Sequence, residues 1–206
     1  MNEKFFSLPE DKQQEIADAG LRVFSENSYK KSPVSQVAEE AGISKSLLFH
    51  YFHNKKELYL FLWDKCAAVS IDYLTRYGCY EQDDLFQMME RGMEAKIALM
   101  KKHPRLGTFV LKAFFEKDPE VRPAIQKRFQ KLMDFKALKT LRNLNPDDFI
   151  PGIDLEQMYR QMYWAAEGYL WELVQQGELN VEQMERDFRE MLTFWKQIYL
   201  RKEVQP

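Results

Sequence analysis

Apolar residues recur along this chain at intervals of three and four, and the two-residue alternation of a half-buried strand is almost absent, so the pattern predicts an all-α fold. Ser7 and Glu10 read as a capping box around Leu8 and Pro9. It would open a helix with Ile16, Ala19 or Gly20, Val23 and Phe24 on one face, ending near Asn27. Ser32, with Pro33 at the first helical position, predicts a short helix whose apolar face is Val34, Val37, Ala38 and Ala41. Gly42 stops it, Ile43 follows, and Ser44 caps a further segment from Lys45 to Phe52. Two short helices joined through a glycine in so few residues form a helix-turn-helix candidate.

The second of these helices carries the chemistry. Leu48 and Phe52 stand four apart and, with Ile43, face the preceding helices, which turns Lys45, Ser46, Phe49, His50 and His53 outward and leaves Leu47 at the margin. Lysine, serine and histidine beside an exposed phenylalanine suit a reader of the DNA major groove, where polar groups bond to base edges and apolar groups touch thymine methyls. His50 and His53 have the spacing of a shared metal site, but a groove position explains both, and no metal is expected.

Asn54 followed by Glu57 is another capping box, which places Lys55 and Lys56 in the first turn of the next helix. That end of a helix carries the positive pole of the macrodipole, and a lysine there costs about 0.3 kcal/mol or more unless an anion neutralises it. A DNA phosphate is the anion expected, held by the helix start, Lys55 and Lys56, with the Tyr51 hydroxyl as a further phosphate contact.

Helices are predicted from Lys55 to about Tyr77, Asp83 to Lys102, Pro104 to Glu116, Pro119 or Pro123 to Asn143, Leu155 to Gln176 and Val181 to Arg201. Asp154 with Gln157 and Asn180 with Gln183 read as capping boxes, Gly177 as a stop, and NLNPDDFIPGID as a loop.

Composition adds limits. A chain of 206 residues with 45% hydrophobic content can bury a sizeable core. No run approaches about 18 apolar residues and the N-terminus has no signal-type segment, so a soluble, cytoplasmic protein without membrane contact is expected. Cys66 and Cys79 lack metal-ligand spacing and read as reduced thiols. The net charge of −2 does not announce a nucleic-acid partner, but five lysines against two acids between residues 28 and 56 make a local basic patch. No Ser-His-Asp spacing, nucleophile elbow or HExxH occurs, so no catalytic residue is assigned and no cofactor is expected.

The stretch SPVSQVAEEAGISKSLLFHYFHNKKELYLFL resembles the DNA-binding segment of the TetR family of bacterial transcriptional regulators, through Gly42, Ile43, Ser44, Leu48, His50, Tyr51, Phe52, Asn54, Lys55 and Leu58. It departs from the family pattern at Phe49, where tyrosine is usual, at Leu47, where a small hydroxyl residue is usual, and at Ser35, where arginine is frequent.

The resemblance implies an N-terminal three-helix DNA-binding domain, residues 1–54, and a larger helical effector-binding and dimerisation domain, residues 55–206. It implies a homodimer on a palindromic double-stranded operator, and a repressor released by a small hydrophobic ligand. The last two helices would form a four-helix bundle across the two-fold axis. The stripe Met184, Phe188, Trp195 and Tyr199 fits that seam, with burial inside one subunit as the other reading.

A ligand cavity is assigned to Phe109, Phe129, Met133, Tyr163, Trp164, Glu167 and Trp171; a carboxylate among aromatic rings suits a flat cation. Arg160 covering Glu167 by an ion pair is the competing reading. Two other classes stay open: an enzyme with its chemistry in residues 80–176, and a DNA-binding assembly or cell-division factor on the same scaffold without an effector.

Overall fold

The computed structural model describes residues 3–142, 144–176 and 180–201, except the side chains of Val174 and Gln176. The described residues form ten α-helices and two 3-10 turns without a strand. The helices are α1 (Glu3–Phe6), α2 (Glu10–Glu26), α3 (Val34–Glu40), α4 (Lys45–Tyr51), α5 (Lys55–Arg76), α6 (Leu85–Lys102), α7 (Pro104–Phe114), α8 (Arg122–Leu141), α9 (Leu155–Gln176) and α10 (Val181–Tyr199).

Caps and breakers set most of these boundaries. Asp154 accepts a hydrogen bond from the Gln157 amide at 3.0 Å, and Asn180 one from the Gln183 amide at 2.9 Å, as their spacing predicts. Two serines do otherwise. The Ser7 hydroxyl donates to the Lys4 carbonyl at 2.9 Å and the Ser32 hydroxyl to the Ser28 carbonyl at 2.9 Å, so each closes the turn behind it, and α2 and α3 start after Pro9 and Pro33 without a side-chain cap. Gly177, expected as a stop, lies outside the described residues.

The chain packs as two units that do not divide at residue 54. The first comprises residues 1–69 and 103–129, the second 70–102 and 130–206. In the first, α2 lies against α3 and α7, and the α2 face anticipated from sequence is buried through Ile16, Val23 and Phe24. Phe5, in the single turn of α1, is fully buried against Phe52 at 4.8 Å and Phe61 at 5.0 Å between ring centroids. Replacing Phe5 by Ala should cost about 3–5 kcal/mol, read as a lower urea midpoint. A change below 1 kcal/mol would mean that α1 is only loosely attached.

In the second unit α6 packs on α10 around Leu85, Phe86, Met158, Met162, Leu192 and Trp195. The Lys196 ammonium reaches Glu90 at 2.9 Å across that contact. The end of α10 is tied to the loop after the second 3-10 turn (Pro146–Asp148): the Ile150 amide donates to the Tyr199 carbonyl at 2.9 Å and the Arg201 amide to the Asp148 carbonyl at 3.0 Å. Both cysteines are free and buried.

Candidate nucleic-acid interface

The helix-turn-helix is held by local chemistry. At the end of α3 the Gly42 amide donates to the Glu39 carbonyl and the Ile43 amide to the Ala38 carbonyl, both at 3.0 Å, which is a Schellman closure. Gly42 adopts φ +64°, a left-handed conformation in which a Cβ would be strained. The Lys12 ammonium donates to the Ala41 carbonyl at 2.9 Å, placing a cation at the negative pole of α3, and Arg22 pairs with Glu40 at 3.1 Å. Ser44 then caps α4, its hydroxyl accepting from the Leu47 amide at 3.1 Å. The end of α3 and the turn are therefore tied to α2 by two separate cations.

On α4, Leu48 and Phe52 are buried, Ile43 is half-buried, and Lys45, Ser46, Leu47 and His50 form an exposed row. Phe49 is half-buried with the Lys45 ammonium 5.8 Å from its ring centroid. His53 is drawn away from the row, its Nδ1 lying 2.9 Å from a Glu57 carboxylate oxygen in the next helix. A helix with one face fixed and a contiguous row of lysine, serine, leucine and histidine exposed has the chemistry of direct base readout.

One phosphate assignment, that of Lys55, changes. Tyr51 is buried, with its ring edge-on to Phe5 at 5.9 Å, so it is first a packing residue and offers at most its hydroxyl to a phosphate. The Asn54 side chain does cap α5, accepting from the Glu57 amide at 2.9 Å. Lys55, however, turns inward: its ammonium lies 4.8 Å from the Tyr29 ring centroid and donates to the Lys30 carbonyl at 3.3 Å. Burial lowers its pKa, while Glu120, Asp118 and Glu116 act to raise it. Carboxylates of the first unit thus supply part of the negative charge that the sequence assigned to DNA alone. Glu116 also accepts from the Tyr29 amide at 2.7 Å, fixing the aromatic platform under Lys55. Lys56 is half-buried and is held by no ion pair among the described residues.

The cavity and dimer assignments are corrected more deeply. Phe109 is fully buried against Tyr59 at 5.1 Å, and Phe129 packs on Phe114 at 4.3 Å and Trp63 at 6.2 Å, so both serve the packing of the first unit. Met133 is half-buried on α8. On α9 the Tyr163 hydroxyl donates to Glu167, one turn away. Burial and that carboxylate raise the Tyr163 pKa. Trp164 and Trp171 point out of the subunit, 52% and 36% exposed, so they do not form an internal cation cage with Glu167.

Trp195, assigned to the dimer seam, is instead 6% exposed within the subunit core, with Phe188 and Tyr199 half-buried against it. Met184 is half-buried. The large apolar side chains left exposed are Trp164 and Trp171 on α9, on either side of the exposed Gly168, and Phe194, 60% exposed, and Ile198, 40% exposed, on α10.

A rigid turn that presents a basic, mixed-chemistry helix defines a DNA-binding helix-turn-helix protein. Residues 16–61 match the family described as "Bacterial regulatory proteins, tetR family", a span that contains α3, the turn and α4. That segment is thus similar to the DNA-binding part of TetR-family transcriptional regulators. The chain is 23% identical over 171 residues to the "HTH-type transcriptional repressor AcnR" of Corynebacterium diphtheriae, covering 82% of this chain and 84% of that one.

Among solved structures it resembles SmeT, the repressor of the Stenotrophomonas maltophilia multidrug efflux pump SmeDEF, with TM-score 0.73, 18% identity and 95% of each chain covered. It also resembles the regulator LfrR from Mycobacterium smegmatis in complex with proflavine, with TM-score 0.61, 18% identity and 89% and 96% coverage of this chain and that one. Among the described residues no helix is long and apolar enough to cross a membrane.

Proposed function

We propose that the protein is a homodimeric repressor that holds a palindromic operator through α4 of each subunit and is released when a small ligand binds in its second unit. The observation that carries this reading is the exposed row Lys45, Ser46, Leu47 and His50 on a helix whose opposite face and both ends are fixed. Base contacts need that rigidity, because a side chain that wanders by an ångström gives up directional hydrogen bonds. Repression is the described activity of the AcnR relative, and a bound small molecule is described for LfrR. Both support the reading. Release requires that the ligand bind unequally to two arrangements of the dimer.

The dimer face proposed is Trp164, Gly168 and Trp171 on α9 with Phe194 and Ile198 on α10. Two exposed tryptophans, a phenylalanine and an isoleucine on neighbouring helices make an apolar patch that a second copy would cover. A Cβ built on Gly168 meets nothing within 4 Å, so the line between the tryptophans is open for a facing helix to approach closely.

The test of readout separates base from phosphate contacts. Lys56→Ala should weaken binding to all sequences alike and reduce the salt dependence by about one unit of slope. Lys55→Ala should reduce it less, since that ammonium is already engaged within the protein. His50→Ala and Lys45→Ala should instead change which bases are preferred, at about 1–3 kcal/mol per lost contact. Uniform weakening by His50→Ala, with no change in preferred sequence, would remove it from the base-reading row.

A further inference from the structure

Two lysines of the second unit stand where apolar side chains belong. On α6 the buried residues Leu85, Met88, Gly92, Met93, Ala95 and Leu99 define the inward face, and at 100° per residue Lys96 falls at its centre. Lys96 nevertheless keeps a large accessible surface. Lys96 is thus a solvent-accessible cation on a helix face whose flanking positions are buried, so packed side chains do not fill the space around it.

Lys136 repeats the arrangement on α8. It lies between Ile125, Phe129, Leu132 and Thr140 on the covered side, one turn from the buried Thr140. The two ammonium groups are close enough to repel each other, and both lie in the field of Cys79 in the first 3-10 turn (Cys79–Glu81). Tyr80 of that turn packs edge-on against Phe135, the neighbour of Lys136, at 6.2 Å.

None of the surrounding groups supplies a counter-charge. The Cys79 thiol donates to the Met88 carbonyl at 3.2 Å, and burial raises its pKa, so it is neutral. Burial likewise raises the phenols of Tyr80 and Tyr159, the latter hydrogen-bonded to Thr140. Glu90 is paired with Lys196, Glu94 with Arg91, and Glu167 accepts from Tyr163. Among the described residues no ion pair reaches either lysine, and burial pushes Lys136 down to about 7 and lowers Lys96. Two mutually repelling cations set among buried apolar neighbours without an anion are costly unless something negative joins them.

We propose that Lys96 and Lys136 form the headgroup end of an internal site that takes an organic anion with an apolar body. The anion would lie between the two ammonium groups, with the Tyr159 and Tyr80 hydroxyls as further donors, and its apolar part would run along Met89, Met93 and Met133. Methionine adapts to an apolar guest of irregular shape. The site rests on the proposed ligand-controlled repressor and gives that ligand its charge, opposite to the cation that Glu167 and its aromatic neighbours suggest from sequence.

The experiment is calorimetric titration of the full chain with dodecanoate, dodecyl phosphate, 1-dodecanol and the cation proflavine, each followed by release of operator DNA. It is repeated with Lys96→Met/Lys136→Met and with the charge-keeping Lys96→Arg/Lys136→Arg. Wild type should bind at least one of the two anions ten- to a hundredfold more tightly than the alcohol, the Arg pair should keep that preference, and the Met pair should bring anion and alcohol within about twofold. Preference for dodecanoate over dodecyl phosphate assigns a carboxylate, and the reverse a phosphate.

Equal binding of alcohol and anions by wild type, tighter binding of proflavine, or an anion preference that survives in the Met pair would overturn the site. So would no binding of any probe up to millimolar concentration, which would also remove ligand control. Anion binding that depends on the lysines but leaves operator affinity unchanged would keep the site and overturn the repressor-release reading alone.

Discussion

Asp at both Trp164 and Phe194 should yield folded monomers that lose at least a hundredfold in operator affinity. Both side chains are exposed in the isolated subunit, so within it the substitutions displace no core contact. Across a two-fold interface each would appear twice and bury unpaired carboxylates, at a cost of several kcal/mol. Affinity should fall with assembly, because two linked heads bind two half-sites with a high effective concentration that a monomer lacks. Trp195→Asp is the informative contrast. That indole is in the core of the second unit, so the same charge there should unfold the subunit rather than separate two. Sedimentation and circular dichroism distinguish the outcomes: a dimer that persists with Asp at 164 and 194 would place the interface elsewhere, and a folded monomer from Trp195→Asp would return Trp195 to the seam.

Lys136→Met should make the protein more stable, which is unusual for a substitution on the covered side of a helix. Burial lowers the folded-state pKa from 10.5 to about 7, so between those values the unfolded chain binds a proton that the folded one does not. The cost is therefore fully present below about pH 7 and is relieved as pH rises toward 10.5. The shift sets a ceiling of about 5 kcal/mol, and water reaching the half-buried side chain brings the expected gain at neutral pH nearer about 2 kcal/mol. A gain of that size raises the midpoint of thermal unfolding by about 4–8 °C in a chain of this length. The advantage should shrink between pH 7 and pH 10, where Lys96 and the Cys79, Tyr80 and Tyr159 hydroxyl and thiol groups are the other titrating neighbours. A variant no more stable than wild type at pH 7 would mean that Lys136 reaches bulk water.

The contrast between these two cases shows what a sequence carries. The recognition helix was legible because its determinants are local: Ser44 caps α4, Gly42 turns the chain, and Leu48 with Phe52 orient the helix, all within about ten residues. The helix order of the second unit was legible for the same reason, since Asp154 and Asn180 cap their own helices. The direction of each apolar stripe was not. Both α9 and α10 have apolar residues on two sides, and spacing does not say which side meets the rest of the subunit. Trp195 proved internal and Trp164 and Trp171 external, the reverse of the sequence assignment.

Lys55 shows a second limit, because the Glu116, Asp118 and Glu120 carboxylates that act on it are more than sixty residues away in sequence. Lys96 left a signal that could have been read. It stands at spacings of three and four from Gly92, Met93, Leu99 and Met100, and a lysine at the centre of an apolar face invites the question of what it meets there.

Selection of bound sequences from a random double-stranded pool, with wild type and His50→Ala run side by side, tests the base-reading role of α4 most directly. Wild type should enrich one palindrome whose half-sites are spaced by about one helical turn or a multiple of it. His50→Ala should relax or switch the preference at symmetry-related positions in both half-sites while the remaining bases stay fixed. Recovery of no preferred sequence by wild type, or of an identical palindrome by the variant and by Lys45→Ala, would contradict recognition through the exposed row of α4.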